Sequence, residues 1–362
     1  MSCRLILVGG FLGAGKTTLL WEAAKQLSSR GLKVGLITND QAPDLVDTSL
    51  LSRLGVGVSE VSGSCFCCNF KGLLRAMAEL KENFAADILI AEPVGSCTDL
   101  AATIIQPLKD QLKGELKISP LTVLADPFKL TEILAGKTAG LHDSAAYIYR
   151  KQLEEADLIA ISKTDLFTMK MVSDLVAQVK REFPAALVCT LSAERGFGLD
   201  AWLDVVTNKT DAGNKLLKVD YDRYAEGEAV LGWLNARFSL RAPNADWRGL
   251  ATKIIAGLQQ SLGERNAPIG HVKLILESGS QALFANLTES EQEPRIRGTV
   301  AQSSAAAMTL NARVQTAPEQ LQQIVRETLA NELRGIDVTE ESLSCLQPGR
   351  PEPTFRYASQ VA

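Results

Sequence analysis

The sequence predicts an α/β fold, in which a mostly parallel sheet covered by helices on both faces is followed by a smaller C-terminal α+β domain. Three observations predict it. Short Val/Ile/Leu-rich runs alternate with helix-patterned segments up to about residue 206. The first run leads into a glycine-rich stretch and then a helix-forming segment, the order a phosphate cradle needs. The pattern dissolves into polar residues over 208–227 and restarts in a different order. A chain of 362 residues is also long for one hydrophobic core. The expected division is residues 1–207, a linker at 208–227, a second domain at 228–345 and a tail at 346–362.

Candidate strands occupy 5–9, 33–38, 56–61, 87–92, 121–126, 158–163 and 187–192, with amphipathic stretches such as 73–84 and 171–183 between them. The strands are apolar almost throughout, as befits a parallel sheet buried on both faces. Ligands of such sheets bind at the carboxyl ends of the strands. In the second domain the order is a strand (229–240), a helix (247–262), strands (271–277, 282–288 and 308–315) and a helix (318–333). Residues 289–305, charged and then rich in small side chains, read as a loop.

Composition narrows the function classes. With 46% apolar residues, 22% charged residues and a net charge of -4, the chain is globular and carries no sign of a nucleic-acid surface. No apolar run is long enough to span a bilayer, and the first residues enter a strand instead of a signal peptide, so a cytoplasmic protein without a membrane partner is expected. Seven cysteines in so long a chain do not suggest a disulfide framework.

The phosphate cradle is Gly10-Phe11-Leu12-Gly13-Ala14-Gly15-Lys16-Thr17, with Thr18 continuing into the helix. Its glycines let backbone N–H groups close around phosphate oxygens, and the helix presents its positive end to the same anion. Lys16 is placed to reach the β- and γ-phosphates, and the Thr17 hydroxyl to hold Mg²⁺. A second element, Glu92-Pro93-Val94-Gly95, follows the strand at 87–92. There Glu92 is a candidate for Mg²⁺ and the Gly95 N–H for sensing the γ-phosphate. A third, Thr38-Asn39-Asp40, offers Asp40 for Mg²⁺ or for orienting the attacking water. Lys16, Asp40 and Glu92 are thus the candidate catalytic residues.

The base is read from Ser162-Lys163-Thr164-Asp165 and Ser192-Ala193, each closing a strand. A carboxylate at Asp165 accepts from both guanine N1–H and the exocyclic amine, a donor pair that adenine lacks. The Lys163 stem packs on the base, and the Ser192-Ala193 turn supplies an N–H to O6. Ser162 stands where guanine-binding motifs usually carry Asn.

Cys65-Phe66-Cys67-Cys68, preceded by Gly63-Ser64, lies between the phosphate cradle and Glu92, the interval that carries the switch regions of GTPases. Three thiols in four positions suit a soft or borderline cation such as Zn²⁺ or Cu(I). Glu60, Asp40 and Cys97 are all candidates for a fourth ligand. Cys3, Cys189 and Cys345 read as small buried hydrophobes, and isolated His142 and His271 as residues other than ligands.

Together these motifs resemble the CobW-like GTPases, relatives of UreG and HypB, over roughly residues 4–206. The resemblance implies a P-loop GTPase domain coupling GTP or GDP occupancy to binding and release of a transition metal, commonly zinc or cobalt (Co²⁺), and a smaller C-terminal domain. It leads to a GTP-hydrolysing metallochaperone that uses Mg²⁺, binds zinc at Cys65, Cys67 and Cys68, and delivers it to an unidentified client metalloprotein. The alternative is an accessory GTPase that remodels a cofactor-dependent enzyme, for example a corrinoid one, with metal only structural. A small-molecule kinase is a third reading, opposed by Asp165 and the Ser192-Ala193 turn. Oligomeric state is open, a nucleotide-dependent homodimer being one option.

Overall fold

The computed structural model describes residues 3–39, 55–288 and 294–361. Asp40 lies outside them. Two compact units emerge: the described residues up to Gly227 together with Arg350 onward form one, and Glu228–Gly349 belong to the other.

The first unit is built on eight strands: β1 (Cys3–Gly10), β2 (Val34–Asn39), β3 (Gly57–Val61), β4 (Ile88–Glu92), β5 (Leu116–Ile118), β6 (Thr122–Ala125), β7 (Leu158–Ile161) and β8 (Leu187–Thr190). Their order is β3-β2-β4-β1-β6-β7-β8, with β5 added beside the start of β1, and every pairing is parallel. Every residue of β4, β6 and β7 is buried, which explains their unbroken apolar sequences. The helices are α1 (Lys16–Ser29), α2 (Phe70–Asn83), α3 (Gln106–Gln111), α4 (Pro127–Leu134), α5 (Asp143–Glu155), α6 (Met169–Glu182), α7 (Leu199–Asn208) and α8 (Tyr221–Ala229), the last running into the second unit. One core joins Leu19, Leu20, Ala23 and Leu27 of α1 to Ile6 and Val8 of β1 and to Trp202, Leu203 and Val206 of α7. Each fully buried Leu or Ile side chain there contributes about 1.5–3 kcal/mol. Trp202 also donates to Thr122 Oγ1 at 3.2 Å, so its indole N–H is satisfied in the core.

The second unit is a six-stranded antiparallel sheet of β9 (Gly232–Ala245), β10 (Ile269–Ser278), β11 (Gln281–Leu287), β12 (Arg295–Thr299), β13 (Ser303–Val314) and β14 (Asp337–Leu346), in the order β12-β11-β10-β13-β9-β14. Helices α9 (Trp247–Glu264) and α10 (Pro318–Glu332) supply Ile254, Ile255, Leu258, Leu321, Ile324 and Val325 to a core shared with the strands. Buried Arg313 lies over the Trp233 ring, 4.5 Å from its centroid, and donates to Asn235 Oδ1 at 2.8 Å.

Several features depart from the sequence expectation. Part of the expected loop at 289–305 is strand, since β12 pairs with β11 and β13 begins at Ser303. β14 is an additional edge strand, mostly exposed and polar, without the apolar pattern that reveals inner strands. Within 208–227, Ala212 is fully buried, the Gly213 N–H donates to Asp157 Oδ2 at 2.6 Å, and α8 begins at Tyr221. The end of the chain packs on the first unit through contacts described below. His142 caps α5, its Nδ1 accepting from the Ser144 N–H at 3.3 Å. Among the described residues, no helix is long and apolar enough to cross a membrane.

Glu155, at the end of α5, is 1% exposed and accepts from Thr98 Oγ1 at 3.0 Å and the Ala101 N–H at 3.2 Å. Burial pushes its pKa up to about 8. An acid raised from about 4.5 keeps its proton in the folded chain while the unfolded chain loses it, so folding stability falls as pH rises from about 4.5 to 8 and then levels off. Glu155→Gln should remove much of that slope, with the melting temperature at pH 8 gaining on the parent relative to pH 5. Thermal unfolding at both pH values reads the difference.

Candidate nucleotide and metal site

β1 ends in the glycine-rich turn because only glycine fits there. Gly10 has φ of 129°, and a Cβ at this position would stand 2.4 Å from the Leu124 carbonyl oxygen. Gly15, at φ 96°, precedes α1 and offers no side-chain cap, and the first turn of α1 carries no acid. The first N–H groups of that helix therefore face the loop as an anion site. Lys16 is 7% exposed and donates to the Gly10 carbonyl at 2.9 Å across the loop.

Glu92 closes β4, directly beside Thr38 of β2. Its carboxylate accepts from the Thr17 hydroxyl at 3.3 Å and lies 3.8 Å from Lys16 Nζ. Three residues on, a Cβ at Gly95 would stand 2.6 Å from Leu12 Cδ2 and 3.1 Å from Lys16 Nζ, so its backbone lies close beside both side chains. Lys16, Thr17, Glu92 and Gly95 thus lie together in the structure.

The two elements expected to read a base meet at the ends of β7 and β8. The Thr164 N–H donates to the Leu191 carbonyl at 3.3 Å, tying the two turns together. Lys163 adopts φ of 52° and pairs with Asp126 at 3.0 Å. Asp165 is exposed, and the Ser192 hydroxyl accepts from the Arg195 N–H at 3.3 Å. Ser162 faces inward: its hydroxyl donates toward the Ala14 carbonyl of the phosphate loop at 2.8 Å and lies 3.2 Å from the Ala125 carbonyl. The short side chain thus links the turn at 162–165 to the glycine-rich loop.

The thiol loop follows β3. Cys65 Sγ lies 3.0 Å from Cys67 Sγ and 3.2 Å from Cys68 Sγ, and the last two are 3.7 Å apart. The turn is closed by the Cys68 and Asn69 N–H groups on the Cys65 carbonyl, and Asn69 then caps α2 by accepting from the Gly72 N–H at 3.0 Å. Cys65 and Cys67 are each 3% exposed, and no cysteine forms a disulfide. Hydrogen bonds from Cys67, Cys68 and Cys97 hold the Cys65 thiol well below its usual pKa, and the same contacts push Cys67 well above it. Hydrogen bonding to Cys65 raises Cys68 to about 11. Among the described residues, Cys65, Cys67 and Cys68 form the group of ligating atoms all within 4.8 Å of one another; Glu60 is not part of it.

Several supporting residues escaped the sequence reading. Asn39, beside the expected Asp40, donates to the Val61 and Ser64 carbonyls at 2.8 and 2.9 Å and accepts from the Phe66 N–H at 2.8 Å, clamping the thiol loop to β2. Gln152 of α5 donates to the carbonyls of both Gly95 and Cys97, at 3.0 and 2.8 Å. The chain end forms a strap over the thiols. The Thr354 N–H donates to the Cys67 carbonyl at 2.7 Å, the Glu352 N–H to Cys68 Sγ at 3.3 Å, and Phe355 meets Phe70 edge-on at 5.3 Å. Arg356 then pairs with buried Asp99 at 2.7 Å. Of these, only Asn39 lies in a motif that could have signalled it.

With this geometry in hand, comparison with known proteins places the chain. The family model described as the CobW/HypB/UreG nucleotide-binding domain matches residues 4–189. The chain is 27% identical over 209 residues to zinc-regulated GTPase metalloprotein activator 1 of Dictyostelium discoideum, covering 50% of this chain and 44% of that protein. It is 24% identical over 217 residues to the zinc chaperone CobW of Pseudomonas aeruginosa, covering 52% and 56%. With the zinc chaperone YjiA of Escherichia coli the identity is 28% over 166 residues, covering 44% and 49%. The chain spans about half the length of the curated relatives it matches. Among solved structures, HypB of Archaeoglobus fulgidus matches with 19% identity and a TM-score of 0.39, over 56% of this chain and 87% of that one. The Zn(II)-bound YjiA GTPase of E. coli matches with 17% identity and a TM-score of 0.37, over 91% and 99%. The chain belongs to the CobW/HypB/UreG family, residues 4–189 matching its nucleotide-binding domain.

Proposed function

We propose that this chain is a GTP-hydrolysing metallochaperone that takes a transition metal, zinc first, at Cys65, Cys67 and Cys68 and delivers it to a client metalloprotein. The observation that carries the reading is the gathering of three thiols on a loop tied to the strand beside Glu92. The ligating atoms of Cys65, Cys67 and Cys68 lie within 4.8 Å of one another, and Asn39, at the end of β2, binds the backbone of residues 61–66 while Thr38 pairs with Glu92. The thiol loop and the phosphate loop are thus joined through β2 and β4. The relatives named as zinc chaperones and as a zinc-regulated GTPase activator support the choice of metal and nucleotide.

In this reading Lys16, the first N–H groups of α1 and the Gly95 N–H hold the β- and γ-phosphates. Asp165 reads guanine, with Lys163 oriented by Asp126 and the Ser192-Ala193 turn at O6. Thr17 and Glu92 offer hard oxygens side by side, the donor set that suits Mg²⁺, which would neutralise phosphate charge there. Asp40 retains its proposed share in that role. Loss of the γ-phosphate relaxes the contacts at Glu92 and Gly95, and the change reaches the thiol loop through β2 and Asn39.

A hundredfold change in metal affinity between nucleotide states needs about 2.7 kcal/mol of coupling. Zinc titrations against a competing chelator, with a non-hydrolysable GTP analogue and with GDP, should give different affinities; equal values would rule out coupling at equilibrium. Asp165→Asn should weaken GTP and favour xanthosine triphosphate in nucleotide competition, and an unchanged preference would remove Asp165 from base recognition. The alternative, an accessory GTPase with structural zinc, gains weight from the burial of Cys65 and Cys67. Cys67→Ser separates the two. A chaperone site loses metal while circular dichroism and basal GTPase activity persist, whereas a structural site loses the fold.

A further inference from the structure

We propose that residues 352–361 form an autoinhibitory cover on the thiol loop, which must lift before Cys65, Cys67 and Cys68 exchange metal with a donor or client. That purpose rests on the reading of the loop as a metal site; the cover itself does not. The first half of the strap lies on the loop. Beyond the N–H groups of Thr354 and Glu352 described above, the Thr354 hydroxyl donates to the Cys68 carbonyl at 3.0 Å. Thr354 thus holds the carbonyls of two adjacent cysteines, and the Glu352 N–H occupies Cys68 Sγ itself. Phe355 meets the ring of Phe70, the residue that opens α2 two positions past Cys68.

The second half latches onto the chain downstream of Gly95. Arg356 Nε donates to Asp99 Oδ2 at 2.7 Å and its Nη2 to the Leu217 carbonyl at 2.8 Å. The Tyr357 N–H donates to the Ala102 carbonyl at 3.0 Å, and its hydroxyl to Asp110 Oδ2 at 2.6 Å. The Val361 N–H reaches Gln106 Oε1 at 2.7 Å. The receiving segment is itself unusual. Asp99 is 1% exposed, sits in the uncommon left-handed region at φ 63°, and leaves Oδ1 without a hydrogen-bond partner among the described residues. Ala101–Ile105, just beyond it, is a π-helical turn, a rare geometry found often at functional sites. Backbone of this kind clusters in clamps and switch segments.

The strap is bonded at many points and yet easily detached. Residues 352–361 run as irregular chain, and Thr354, Phe355, Arg356 and Gln360 are all exposed. Its hydrogen bonds therefore compete with water, and each adds little net stability. Segments with few buried apolar contacts and solvent-exposed hydrogen bonds open locally, far below the free energy of global unfolding. The loop it contacts is the opposite, with Cys65 and Cys67 each 3% exposed. A thiolate-bound metal leaves by ligand exchange, so an incoming donor has to reach those sulfurs. A cover that closes alike over the empty and the filled loop slows metal entry and departure by one factor and leaves the affinity unchanged.

Two full-length variants test the cover. Thr354→Pro removes the N–H and hydroxyl that hold the cysteine carbonyls, and Arg356→Ala removes the latch; both positions are exposed, so the melting temperature should barely move. Iodoacetamide labelling of the metal-free chain, resolved by peptide mass spectrometry, reads access to the thiols. When opening and closing are fast relative to labelling, the rate follows the open population. Each variant should label Cys65, Cys67 and Cys68 about tenfold faster than wild type, equivalent to about 1.4 kcal/mol easier opening. Labelling of Cys189 should stay the same. Zinc uptake, and zinc loss to a chelator, should accelerate by that same factor with the affinity preserved. In wild type, amide hydrogen exchange at Thr354 and Tyr357 should be slower than in an unstructured peptide and faster than in β4, a reading that needs no variant. Unchanged labelling in both variants, weaker zinc binding without faster labelling, or exchange at Thr354 and Tyr357 as slow as in β4 would each overturn the cover. If the metal reading alone is wrong, the variants still label faster while wild type retains no zinc. If the cover alone is wrong, wild type retains zinc and all three proteins label alike.

Discussion

The rest of the site depends on the short segment 92–99 being held at both ends and in its middle. Glu92 is fixed by β4 and bonded to Thr17, and Gly95 is pressed against Leu12 and Lys16. Gln152 spans Gly95 and Cys97, Glu155 takes Thr98 and Ala101, and Tyr221 with Arg356 takes Asp99. A buried polar group left unpaired costs about 1–3 kcal/mol. Displacing one part of this segment without the others breaks several such bonds together, against a total stability of only about 5–15 kcal/mol. A segment so tied responds to a ligand as a unit.

The thiol loop is built on the same logic from the opposite side. Asn39 directs three side-chain hydrogen bonds to the backbone of residues 61–66, tying the end of β2 to the thiol loop. β2 pairs with β4, Thr38 beside Glu92, which closes a mechanical circuit between phosphate loop, sheet and sulfurs. The strap from 352 to 357 adds an outer restraint through the backbone of Cys67, Cys68 and Ala102. Arg356, whose pKa is raised by its pairing with Asp99 despite opposing burial, anchors that strap by charge.

How much of this the sequence disclosed follows from what sequence patterns encode. The buried parallel strands were readable because inner strands must be apolar on both faces, and the phosphate loop because few residues can make it. β5 was missed since three residues, Leu116–Ile118, carry no period. β12 and β14 were missed because they are edges, exposed and charged, whose sheet membership lies in backbone pairing. The strap hid for a related reason: its Pro-flanked polar residues resemble a tail, and its grip comes chiefly from main-chain N–H groups. Ser162 read as a departure from the usual Asn, whereas its hydroxyl bonds the Ala14 carbonyl, a partner that no local pattern specifies.

The proposed function requires nucleotide and metal to share one coupling free energy. Linkage is reciprocal, so metal must alter nucleotide affinity by the same factor by which nucleotide alters metal affinity. Calorimetric titration of the full chain with the non-hydrolysable GTP analogue and with GDP, each with and without one equivalent of zinc, measures this directly. The account predicts that zinc changes the two nucleotide affinities by different factors. Identical nucleotide affinities in zinc-loaded and zinc-depleted protein would contradict it.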